Sequence, residues 1–280
     1  MKVFTTKSQL KTYLDRHRRK GHSIGFVPTM GALHQGHLSL IEFSKAECDV
    51  TVCSIFVNPT QFNDPEDFKK YPRTIEQDSN LLREVDCEVL FLPSVDEMYR
   101  DFVPIHPDLQ GIDSVLEGSF RPGHFDGVVQ VVYLLLQAVQ PTYIFMGLKD
   151  YQQQLIVKKM MEYMHLSTTL RAMPIMREDS GLAMSSRNVR LSPEQRHDAA
   201  AIYKTLFLSA QSVKKGVDII SVLEDASLEF KKYECRLEYM SICNAETLEP
   251  IEQYNPDIPT IILIAVWWGE VRLIDNIIIG

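Results

Sequence analysis

The sequence predicts an α/β protein built on a doubly wound parallel sheet, followed by a smaller α+β domain. Three observations carry this. Apolar runs of strand length alternate with helical segments up to about residue 175, the pattern of parallel strands joined by crossover helices. The run VTVCSIFV at 50–57 is apolar and β-branched nearly throughout, as suits a strand covered on both faces. Beyond residue 175 the pattern changes to a polar loop, two helices and three further strands.

Residues 5–20 read as an amphipathic helix, with Leu10 and Leu14 inward. Arg16, Arg18, Arg19 and Lys20 sit at its C-terminal end, which favours cations. A buried strand over 24–27 is ended by Pro28, and Thr29-Met30-Gly31-Ala32 is a tight turn. His34-Gln35-Gly36-His37 follows, then Leu38, Leu40 and Ile41 at helical spacing. Strand 50–57 runs into Asn58-Pro59-Thr60-Gln61-Phe62. Helices over 75–86, 124–139 and 150–164 alternate with strands over 88–92, 143–146 and 168–175 to complete a first domain, residues 1–175. In the second, residues 176–280, a polar loop spans 177–188. Ser192-Pro193-Glu194-Gln195 opens a long helix to about residue 215, and another helix covers 217–233. Strands are predicted over 237–243, 260–267 and 271–279.

The chain has 280 residues, 45% hydrophobic and 24% charged, enough for a large core and two domains. A formal net charge of −8 argues against a nucleic-acid-binding surface. Five cysteines without C-x-x-C spacing suggest reduced thiols in a reducing compartment. The first 22 residues carry no apolar leader core, and the longest apolar run, 261–268, is too short to cross a bilayer. The expectation is a soluble cytoplasmic protein with neither membrane nor nucleic-acid partner.

In a doubly wound sheet, ligands bind beyond the carboxyl ends of the strands. Three polar motifs fall there: His34–His37, Asn58–Gln61 and Gly147–Asp150. A helix that starts just after a strand offers unpaired amides and a positive dipole end, which suit a phosphate. Gly31 and Gly36 let backbone approach a ligand, and His34 and His37 can serve one phosphate chain. The same residues are also compatible with a capped helix start, whereas a metal pair lacks a third ligand nearby. The motif is neither a Walker P-loop nor a dinucleotide fingerprint.

PTMGALHQGHLSL resembles the nucleotide-binding signature of the pantoate–β-alanine ligases, members of the H-I-G-H nucleotidyl-transferase superfamily with its Rossmann-like fold. The resemblance continues in Asn58 to Phe62, Tyr71-Pro72-Arg73-Thr74, Arg121 to Val128, Lys149-Asp150-Tyr151-Gln152-Gln153, Met184-Ser185-Ser186-Arg187-Asn188 and Arg272 to Asn276. It implies an ATP site formed by Met30, Gly31, Ala32, Leu33, His34, Gln35, Gly36, His37, Gly147, Leu148, Lys149, Asp150, Met176, Met184, Ser185, Ser186 and Arg187. His34, His37, Lys149 and Arg187 would be catalytic, and Asn58, Gln61 and Gln153 would hold pantoate or β-alanine. Asp78 stands where the family is thought to help hold Mg²⁺. Departures are Gln130, Leu134 and Leu148, where the family usually has threonine, lysine and glutamate.

The implied reaction is ATP-dependent joining of pantoate and β-alanine through a pantoyl adenylate, with release of pyrophosphate and AMP, in a homodimer whose smaller domain closes over the site. A nucleotidyl transfer to a phosphate-bearing acceptor, and a nucleotide-binding regulator without turnover, are the alternatives.

Overall fold

The computed structural model describes residues 1–62 and 65–279. In chain order the elements are β1 (Lys2–Phe4), α1 (Lys7–Arg18), β2 (Ile24–Thr29), α2 (Gln35–Glu47), β3 (Val50–Ile55), α3 (Pro65–Lys70), α4 (Ile75–Glu84), β4 (Val89–Phe91), α5 (Val95–Tyr99), α6 (Glu117–Phe120), α7 (His124–Val139), β5 (Tyr143–Gly147), α8 (Tyr151–Tyr163) and β6 (Thr169–Met173). The second part adds α9 (Pro193–Asp198), α10 (Ala201–Lys214), α11 (Ile219–Phe230), β7 (Cys235–Asn244), β8 (Thr260–Trp268) and β9 (Val271–Ile279).

The chain divides into two compact units. The first comprises Met1–Leu148 and Gln152–Pro174, the second Lys149–Tyr151 and Ile175–Gly280.

The first unit is a parallel sheet of order β1-β4-β3-β2-β5-β6 with helices between its strands. The winding reverses at β2: the chain passes outward through β3 and β4, then returns to lay β5 on the other side. A crevice therefore opens where β2 and β5 end. β2 and β3 are almost wholly buried, which explains their nearly continuous apolar runs. Val27, Ile41, Cys53, Leu82, Leu90 and Phe145 meet in one core cluster.

Pro28 does not end β2; the strand runs on to Thr29. A strand residue points its N–H and C=O to one side, and every second residue faces the same way. Ile24 C=O accepts from Thr142 N–H, so Ile24 and Pro28 both face β5. There β2 pairs only at Gly25 and Phe26, and the missing N–H of Pro28 costs no ladder bond.

The second unit is an antiparallel β7-β8-β9 sheet. Ile202, Leu206 and Val213 of α10 and Val222 and Phe230 of α11 share a core with Ile262, Ile264, Val266 and Trp268 of β8. Trp268 is buried there, whereas Trp267 donates its indole N–H to Glu238 at 2.7 Å. The long helix predicted after Ser192 tightens into a turn at Ala199–Ala200, where Ile202 N–H reaches Ala199 C=O, three residues back. Ser192 and Gln195 cap its start reciprocally. All five cysteines are free thiols, and among the described residues no helix is long and apolar enough to cross a membrane.

Gly25 lies close against the helix that covers the sheet. A Cβ there would fall 2.1 Å from Ser44 Oγ and 2.9 Å from Cys48 Sγ, both on the covering helix side. Gly25→Ala should cost about 1–3 kcal/mol, the usual scale of overpacking, read as a lower melting temperature. Adding Ser44→Ala should recover part of that loss.

Candidate active site

The turn after β2 begins with Thr29, whose hydroxyl donates to Ser54 C=O on β3 (2.7 Å) and accepts Gly31 N–H (3.2 Å). Gly31 and Ala32 then take φ values of +84° and +49°. The first suits glycine, and the second costs alanine about 1–2 kcal/mol. Asp78 of α4 lies beneath. It is 1% exposed, and its carboxylate accepts Ala32 N–H (2.9 Å), Leu33 N–H (2.8 Å) and the Thr74 hydroxyl (3.2 Å).

His34 caps α2. Its Nδ1 accepts Gly36 N–H at 3.1 Å, and its own N–H donates to His37 Nδ1 at 3.3 Å. The two rings lie 4.0 Å apart between centroids. An Nδ1 that accepts leaves the proton of a neutral imidazole on Nε2. The capped helix start and the paired histidines are thus one arrangement. Ala32, Leu33 and Gly36, expected to offer backbone to a nucleotide, spend their amides inside the protein.

The turn after β3 is built on Asn58, which is fully buried. Its Nδ2 donates to Gln61 Oε1 and Gly127 C=O, each at 3.2 Å. Its Oδ1 accepts from the Tyr99 hydroxyl (2.6 Å) and the Thr60 hydroxyl (3.1 Å). The sequence places Asn58 on a substrate; in the structure its side chain also holds Gln61 and the start of α7. Burial pushes the Tyr99 phenol up. Gln61 Nε2 reaches Met30 Sδ at 3.1 Å, which brings the β2 and β3 turns together. His124 Nδ1 lies 2.7 Å from Gln61 C=O. A Cβ on Gly127 would fall 2.4 Å from Thr60 C=O, so the start of α7 clasps this turn closely. Tyr99 and His124 carry this support, and no local pattern ties Tyr99 to Asn58 in the sequence.

Gln130, the residue in place of threonine, clamps a loop: its amide pairs both ways with the backbone of Ile105, at 3.0 and 2.7 Å. Gln152 does the same for residues 112–117. Its neighbour Gln153 is half-buried and has no side-chain hydrogen bond among the described residues.

Lys149, Asp150, Met176, Met184, Ser185, Ser186 and Arg187 belong to the second unit. There Asn276 Nδ2 donates to Lys149 C=O (3.0 Å) and the Tyr151 hydroxyl to Ala245 C=O (2.9 Å). Lys149 Nζ stands 3.7 Å from the Asp150 carboxylate. The loop over 177–188 is more ordered than its polar composition suggests. Arg177 and Ala183 form an antiparallel bridge, and Asn188 Nδ2 donates to Glu178 Oε1 (2.8 Å) and Ala183 C=O (3.1 Å). Arg177 forks onto Asp275 (2.6 and 3.0 Å) and lies 3.8 Å from the Tyr203 ring centroid. Burial pushes the Asp275 carboxyl up, opposed by Arg177. Ser185 Oγ accepts Arg187 N–H at 3.2 Å, and Ser185, Ser186 and Arg187 are half-buried at the end of this hairpin.

A family model described as pantoate-beta-alanine ligase matches residues 2–278. The chain belongs to the pantoate–β-alanine ligase family. The ligase is 44% identical over 277 residues to a pantothenate synthetase of Cytophaga hutchinsonii, covering 98% of each chain. It is 43% identical over 279 residues to one of Bacteroides fragilis, covering 99% of this chain and 98% of the relative. Among solved structures, pantothenate synthetase from Thermus thermophilus superposes with a TM-score of 0.90 at 38% identity, over 99% of both chains. A Francisella tularensis pantoate-beta-alanine ligase, complexed with beta-gamma ATP and beta-alanine, gives 0.81 at 36% identity, over 99% of this chain and 97% of that one.

The expected Mg²⁺ role of Asp78 does not fit this geometry. Both carboxylate oxygens already accept from protein donors, and the side chain is buried.

The support role of Asn58 has a measurable signature. Asn58→Ala should lower stability by about 1–3 kcal/mol, because the Tyr99 hydroxyl and the Gln61 amide lose a buried partner. Asn58→Asp keeps the shape but aims an acceptor at Gly127 C=O, and should cost at least as much in urea unfolding.

Proposed function

We propose that this ligase joins pantoate to β-alanine in two half-reactions, consuming ATP to AMP and pyrophosphate. In the first, the pantoate carboxylate attacks the α-phosphate of ATP and pyrophosphate leaves. In the second, the amine of β-alanine attacks the acyl carbon of pantoyl adenylate and AMP leaves. A carboxylate alone is a poor acylating agent because its leaving group would be oxide; AMP is a stable anion.

The observation that carries this reading is the pairing of two unlike sites at the carboxyl ends of adjacent strands. His34 and His37 carry Nε2–H donors at the start of α2, suited to phosphate oxygens. Gln61, whose amide is oriented by Asn58 and touches Met30, suits the hydroxyl and carboxylate of a small hydroxy acid. Gln153 offers a second half-buried amide. Lys149 and Arg187 supply cationic charge as negative charge gathers on the leaving pyrophosphate. The second half-reaction needs a neutral amine held against the activated carbonyl, a matter of placement. The free thiols support a reducing, cytoplasmic setting. A homodimer is the assembly the family resemblance implies, and sedimentation velocity reads it directly.

With ATP, Mg²⁺ and pantoate supplied, pyrophosphate should form before any β-alanine is added. A strict requirement for β-alanine would exclude a free adenylate. Gln61→Ala should weaken pantoate far more than ATP in calorimetric titration; equal losses would assign Gln61 to the fold. His37→Ala should slow adenylate formation by roughly 100-fold, the scale of losing one preorganised donor. Reaction of supplied pantoyl adenylate with β-alanine should fall much less, since no triphosphate remains. Single-turnover rates beside a melting curve decide this: equal loss in both steps at unchanged melting would move His37 to the AMP phosphate.

A further inference from the structure

We infer that Asp78 is a positioning residue: its carboxylate holds the turn over residues 31–33 in the shape that aims His34 and His37 at the nucleotide. The inference rests on the ATP reading above and assigns a task to a residue outside the reacting groups.

Three features of the turn lead to it. Gly31 and Ala32 both have positive φ, a backbone that does not hold itself. The next two amides, Ala32 N–H and Leu33 N–H, converge on the two oxygens of one carboxylate, the concave amide arrangement that binds anions. The anion it holds is the protein's own, brought from α4, with Thr74 fastening the same carboxylate from the preceding turn. A Cβ on Gly31 would sit 3.0 Å from Asp78 Oδ2, so the carboxylate and the glycine fit against each other. His34 follows directly and is itself the cap that His37 closes.

The charge argues the same way. A bare carboxylate close to a triphosphate would repel it. Buried and accepting from two amides and a hydroxyl, the Asp78 carboxylate turns its charge into the protein and leaves the imidazole donors to face the ligand. The arrangement gives Asp78 a role in nucleotide binding that needs no metal on the protein.

The test is calorimetric binding of a non-hydrolysable ATP analogue to wild type and Asp78→Asn, once with Mg²⁺ and once with a chelator. Asparagine keeps the shape but replaces one acceptor by a donor facing an amide. The expected result is a loss of tenfold or more in affinity, of equal size in both buffers. A loss seen only with Mg²⁺ would make Asp78 a metal ligand and overturn the inference; so would unchanged affinity. Wild type that fails to bind the analogue in either buffer would overturn the nucleotide reading and this inference with it, an outcome distinct from the other two. Amide exchange in wild type needs no variant: Ala32 and Leu33 should exchange slowly, and rapid exchange of both overturns the inference. Should Asp78→Asn not fold, Thr74→Val removes only the hydroxyl donor and should give a smaller loss, again equal with and without Mg²⁺; a loss confined to the Mg²⁺ buffer, or none, would overturn the inference.

Discussion

Strand β2 is hydrogen-bonded on both edges, to β3 over its full length and to β5 near its start. That double bonding is the constraint on which the rest of the first unit depends. The winding reverses across β2, so the turns that leave β2 and β5 part to opposite faces and leave a gap above the sheet. Because β5 stops pairing early, the last residues of β2 have one side without a ladder, and a proline is tolerated there. The strained turn that follows starts from a fixed point, and the histidines inherit that fixity.

A second theme is the use of polar side chains to replace missing backbone partners. Long connections carry amide and carbonyl groups that no sheet or helix satisfies. Gln130 pairs with Ile105, Gln152 with residues 112–117, Asn58 with Gly127, Asn276 with Lys149. Each is an amide side chain acting as a short piece of strand. Connecting loops are held this way by polar side chains, and so can remain polar.

Much of this was legible in the sequence, for physical reasons. Fully covered strands cannot alternate polar and apolar residues, so the apolar runs gave β2, β3, β5 and β8 directly. The helix of residues 124–139 was legible to the residue from its apolar length, and the structure closes it between Gly123 and Gln140, both in the left-handed region. β1 escaped notice: three residues at the sheet edge, two of them exposed, carry no pattern. The one-turn helices α5 and α6 are too short to show periodicity. Pro28 read as a terminator because the sequence does not show that β5 stops pairing before it. The histidines were legible as chemistry but not as each other's caps. Asp78 was expected at Mg²⁺ and Asn58 on the substrate, but the partners that fix them most tightly, the amides of Ala32 and Leu33 and the Tyr99 hydroxyl, lie far along the chain. Such contacts leave no local signature.

The bond from Asn276 to the carbonyl of Lys149 joins residues 127 positions apart. Synthesis proceeds from the N-terminus, so Lys149 leaves the ribosome long before its anchor exists. At about 5–20 residues per second the interval is roughly 6–25 s. For most of it the parallel sheet can already have closed, since its last strand ends at Met173. The nascent chain therefore passes through a stage with its histidines mounted and its lysine unmoored. Lys149 gains this anchor only when the last strand of the small sheet has been made.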